Sequence, residues 1–151
     1  MIRDESGAAY VETLVAFMPT LFFFLAIYQF SEVAAANLVV RRAAHAAVRA
    51  AVVVYPDDPR FYGGAAPGAR SLYIEEAARR TLLAAPEIDL SRARVSVSGN
   101  LSGNSEVTVD LRVPYRCSVF WARLVCGFDG LIDLDGRATL PYLGTRASAG
   151  G

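Results

Sequence analysis

A chain of 151 residues has room for one modest domain plus an anchor. Fifteen arginines balance fifteen acids, so the formal net charge is zero and no global basic field points to a nucleic-acid partner. The apolar excess is uneven, concentrating before Val54, where Ala, Val, Leu and Phe dominate and charges are sparse.

The chain opens with Arg3, Asp4 and Glu5, followed by Ser6-Gly7-Ala8-Ala9-Tyr10-Val11-Glu12. From Thr13 to Ser31 no residue is charged, and Leu14-Val15-Ala16-Phe17 and Leu21-Phe22-Phe23-Phe24-Leu25 are strongly apolar. A helix over this run is about 28 Å long, close to the hydrocarbon thickness of a bilayer. Its all-round apolarity and the flanking glutamates favour a membrane span over a buried soluble helix. Pro19 interrupts the run, a kink that membrane helices tolerate when the freed carbonyl finds another donor.

The helical pattern continues from Glu32 to Val54 without Gly or Pro. Arg41, Arg42, His45 and Arg49 recur at three- and four-residue spacings along one side. Small residues from Ala34 to Ala51 suit close approach between helices of neighbouring subunits. Tyr55-Pro56 ends the helix, because proline cannot donate and disfavours helix in the residue before it. A helix over 8–54 is roughly 70 Å long, half in lipid and half beyond it.

Three readings fit this segment. Ala34-Ala35-Ala36 offers a signal-peptide cleavage site, but the leader is acidic and the apolar stretch exceeds an ordinary signal core. A permanent anchor is the second reading. The third is a prepilin, and it alone uses the residues from Ser6 to Glu12. That segment resembles the prepilin-peptidase site of type IV pilins: a polar leader, Gly7, a cut before Ala8, and a glutamate, Glu12, at the fifth mature position. The residue after that glutamate is commonly aromatic in the family, and here it is Thr13.

More specifically, the chain resembles TadE-like pseudopilins (minor pilins) of the tight-adherence (Tad) type IV pilus machinery. Gly7 to Phe30 carries the Gly-Ala start, the glutamate and the early proline, and the C-terminal part supplies the small β-rich region. The resemblance implies processing between Gly7 and Ala8, and assembly through Glu12, which would neutralise the new amine of Ala8 on a neighbouring subunit. It implies other pilin subunits, prepilin peptidase, the Tad inner-membrane platform and the lipid bilayer as partners, and no cofactor. It also implies a single pass through the bacterial inner membrane, with the C-terminal domain extracytoplasmic and available for incorporation into a surface pilus. Arg41, Arg42 and Arg49 after the run favour the opposite orientation under the positive-inside rule. They begin about ten residues beyond it, where their weight falls, so the C-terminal side is read as outside.

Beyond the long helix, 55–70 reads as a loop rich in Pro, Asp and Gly. Ser71 is the expected N-cap of a helix to about Ala85, with Ile74, Ala78 and Leu82 inward, Glu75/Arg79 and Glu76/Arg80 as i,i+4 pairs, and Pro86 as its stop. The period then changes to two. Val95 and Val97, then Val107 to Val113, then Ile132 to Leu140 alternate with polar residues, and Gly99 to Asn104 is a turn between the first two runs. The expected fold is α+β: a long N-terminal helix leading into a small domain over 71–143, with a short helix, a roughly three-stranded antiparallel sheet covered on one face by the upper half of the long helix and the short helix, and a flexible tail at 144–151.

Outside the cytoplasm a Cys117–Cys126 disulfide is expected, closing a ten-residue loop worth roughly 2–3 kcal/mol in the chain-entropy account. The loop is apolar and holds Phe120 and Trp121, either a satellite core cluster or a contact with a subunit or membrane surface. No metal is expected: two cysteines and the single His45 make no four-ligand site, and Asp57-Asp58 and Asp133-x-Asp135-Gly136 read as turn and strand edge. No nucleophile, phosphate-loop or Cys-x-x-Cys motif suggests an enzyme. The expected function is a structural pilin-like subunit. The alternative is a permanently anchored envelope protein whose domain binds a partner.

Overall fold

The computed structural model describes residues 6–55, 69–99, 105–118, 126 and 129–142. Helix α1 (Ser6–Val54) is followed by α2 (Ala69–Leu82) and strands β1 (Arg94–Gly99), β2 (Ser105–Arg116) and β3 (Leu131–Tyr142). The strands form an antiparallel sheet in the order β1-β2-β3, giving the α+β architecture. The Phe120–Trp121 loop, the tail and most of the 55–70 loop lie outside the described residues.

α1 has 49 residues, about 74 Å of helix, and two halves with different surroundings. Every large apolar side chain from Tyr10 to Phe24 is exposed. From Ala36 onward, Val40, Ala43, Ala44, Ala47, Val48, Ala51 and Val54 are buried at three- and four-residue spacing, and together they are the spine of the core. The bare half is long and apolar enough to cross a membrane, or to serve as a signal sequence. Pro19 lies inside it without ending it. Its hydroxyls are satisfied locally, Thr20 Oγ1 donating to the Ala16 carbonyl (2.8 Å) and Ser31 Oγ to that of Ile27 (2.9 Å).

The small-residue stripe is used within the chain, where the upper half of α1 is one of the two expected covers of the sheet. Ala36, Ala43, Ala44, Ala47 and Ala51 face this chain's own domain, and only Ala34 and Ala35 of the first turns stay exposed. The reason is on β3. Gly136 stands opposite Leu111 in the register and is buried under α1, where a Cβ would lie 2.8 Å from the Val40 carbonyl oxygen and 2.9 Å from Val40 Cγ1. Small residues on both sides let helix and sheet approach closely, so the alanines serve intrachain packing.

β2 sends Val107, Val109, Leu111, Val113 and Tyr115 toward α1, while its alternate residues face outward. That outer face is polar and internally matched. Arg112 pairs with Asp135 (3.3 Å), Arg137 with Asp110 (3.5 Å), and the Thr108 and Thr139 hydroxyls meet at 2.9 Å. Pro114 is tolerated in a central strand because β1 pairing stops at Arg94↔Arg112. Beyond that point the α2–β1 connector takes over, Asp89 N donating to the Pro114 carbonyl (3.1 Å) and Arg116 N to that of Glu87 (3.0 Å). Gly99 ends β1 at φ 149°, with Glu106 O 2.5 Å from where its Cβ would stand, so only glycine fits there.

The bounds of α2 differ from the sequence expectation at both ends. α2 begins at Ala69, so Ser71 lies inside the first turn and is not its cap. α2 ends at Leu82, where the chain tightens into i→i−3 bonds, Ala85 N donating to the Leu82 carbonyl (3.0 Å) ahead of Pro86. Of its two expected ion pairs, Glu76–Arg80 closes at 2.8 Å, while Glu75 and Arg79 make none among the described residues.

Candidate processing and assembly site

The residues singled out at the start of the chain fall on the bare end of α1. Gly7 is exposed in the first turn, and nothing among the described residues lies within 4 Å of where a Cβ would stand. The described fold therefore has no steric need for glycine there. The Gly7–Ala8 bond belongs to the first described turn of α1. Glu12 lies on the same bare end, exposed and without a partner among the described residues.

The other candidate residues cluster where the bare half of α1 enters the domain, its lower end. β2 and the connector converge on this end, and β3 departs from it. Cys117 and Cys126 are joined there as a disulfide with Cα atoms 6.7 Å apart, and Cys117 N donates to the Gly130 carbonyl (3.0 Å). Gly130 itself takes φ 64°, turning the chain into β3. Asp133 and Asp135 are exposed strand residues, and no cluster of metal-ligating side chains occurs among the described residues.

Next to the disulfide is a polar contact that sequence reasoning missed. Ser118 Oγ lies 2.5 Å from Glu32 Oε2 and 3.2 Å from Gln29 Oε1, tying the end of β2 to α1 where the helix emerges from its bare half. Gln29 is 7% exposed, the one buried polar residue at this junction among the described residues. A signal existed: Gln29 and Glu32, one turn apart, are the first strongly polar side chains after the apolar run. The hydrogen bond from Ser118, then one from Tyr28, hold the Glu32 carboxyl below its ordinary pKa of 4.5, against a smaller push upward from burial.

A depressed carboxylate pKa stabilises the fold above the ordinary value and loses that contribution as pH falls through the lower folded value. The Glu32 tie is therefore present at neutral pH and lost on acidification below 4.5. Thermal unfolding of the full chain in detergent, with and without Glu32→Gln, is expected to differ at pH 7 by about 1 kcal/mol or less and to converge in acid. A difference that widens in acid contradicts the tie.

Tyr115 completes this end. Its side chain is 1% exposed, and its hydroxyl has no hydrogen-bond partner at bonding geometry among the described residues. Burial raises its pKa most, and the nearby charges of Glu32 and Glu87 raise it further. Comparison of the chain with protein-family models, with curated proteins and with solved structures finds no match in any of the three.

Proposed function

We propose that this chain is a structural pilin-like subunit of the TadE-like kind. On this reading the bare half of α1 holds it in the bacterial inner membrane, with the domain extracytoplasmic. Prepilin peptidase removes the leader after Gly7, and α1 then enters a Tad-type pilus or its assembly platform beside other pilin subunits.

The observation that carries the reading is the division of labour along one unbroken helix. Its second half is the core of its own domain, while its first half is apolar and uncovered by any described part of the chain. Such a helix needs lipid before assembly and partner helices after it. Gly7 and Glu12 support the same reading, since the described fold uses neither.

Gly7→Leu tests the processing step. Open space around Gly7 means the domain folds unchanged, so the expected effect is confined to maturation. The variant is expected to keep its leader, seen as the precursor mass, and to drop out of assembled fractions. Normal maturation removes Gly7 from the processing site. A permanently anchored protein that binds its partner through the domain would be indifferent to the substitution.

A further inference from the structure

Beside α1 at the lower end lies a groove of about 210 Å³, walled by Glu32, Ala35 and Val39 on one side and by Ala84 and Glu87 on the other, with Tyr115 also lining it. Its chemistry is one-sided. Among the described residues, Glu87 has no ion-pair partner, and Glu32 is met by hydroxyls and by no cation. The buried Tyr115 hydroxyl has no partner at bonding geometry among the described residues. The remaining wall is small and apolar. A ligand that satisfies all of this brings a positive head with several donors on an apolar stem, which describes an arginine side chain.

The chain carries such side chains unused. Arg41, Arg42 and Arg49 are exposed on α1 and have no partner among the described residues. Arg41 follows Glu32 by nine residues, about two and a half turns, so it stands on the opposite side of the helix and about 13.5 Å further along it. Two parallel copies related by translation meet through opposite sides of their helices.

We propose that Arg41 of one copy inserts into the Glu32–Glu87 groove of a second copy, the two α1 helices running parallel and staggered by about 13.5 Å. Each copy then offers one unused arginine and one unused groove. A contact of this head-to-tail kind continues indefinitely unless rotation closes it into a ring. This inference rests on the subunit reading above, because helices bundled in one filament are held parallel and offset along its axis.

The test uses the full chain in its native membranes, with Arg41→Glu, Glu87→Arg and the two combined. Arg41→Cys with Glu87→Cys serves as an oxidative cross-linking probe. Each charge reversal is expected to lower the assembled fraction about tenfold, and the combination to restore most of it. The cysteine pair is expected to give dimers and higher ladders that neither single cysteine gives. If neither reversal changes assembly while Glu12→Ala abolishes it, the groove contact is overturned and the subunit reading stands. If the chain never forms higher-order species and Glu12→Ala changes nothing, both fail together.

Discussion

Gly136→Val is expected to lift α1 off the sheet and destabilise the domain by about 3 kcal/mol, the upper range for overpacking a tight core. A Cβ at this position meets the Val40 carbonyl oxygen at 2.8 Å, and that obstacle is helix backbone, which no rotamer change can move aside. To make room α1 must shift as a body, loosening Val40, Ala43, Ala44 and Ala47 against β2 and β3 at once. Thermal unfolding in detergent should show a midpoint lowered by roughly 10 °C or more. Asp135→Ala, one residue away on the exposed face, removes only a surface ion pair and should cost no more than about 1 kcal/mol. Equal effects from the two substitutions would mean that α1 does not sit on β3 as described.

The second large effect is on assembly. Glu12 stands at the edge of the apolar run, exposed and without a partner among the described residues. An ionisable group in that position is costly in lipid and ordinarily has a partner. On the proposed reading the partner is the new amine of Ala8 on a neighbouring subunit. Glu12→Ala removes a charge from the helix, so extraction from membranes by carbonate should be unchanged or reduced. The assembled fraction should fall by at least about tenfold, the scale expected when one charge of a desolvated pair is lost. Normal assembly of the variant would sink the role given to Glu12.

Much of the architecture was legible because it depends on local pattern. Period-two alternation placed Val107 to Val113 and Ile132 to Leu140 on strands, and the absence of Gly and Pro from Glu32 to Val54 carried α1 to its end. Ile74, Ala78 and Leu82 were read as inward-facing and are fully buried.

What was not legible depends on contacts between distant segments. The upper half of α1 was read both as a cover for the sheet and as a close helix contact, and sequence cannot say which of the two its alanines serve. Gly136, ninety-six positions after Val40, decides that they meet β3. Ser71 looked like a cap, yet helix starts shift by a residue or two whenever tertiary packing holds an earlier turn. The Gln29–Ser118 and Glu32–Ser118 contacts, and the groove below Tyr115, join parts of the chain more than fifty residues apart and left no local signature. Gly7 and Glu12 are the reverse case. They were visible in sequence, and neither has a contact among the described residues that the fold needs.

The central claim is that the chain is matured as a pilin-like subunit, and the N-terminal sequence with the intact mass of the protein from its native membranes tests it most directly. The account predicts a mature chain beginning at Ala8. A retained Met1 would contradict it in favour of a permanent anchor, and a chain beginning near Asn37 would contradict it in favour of a secreted domain.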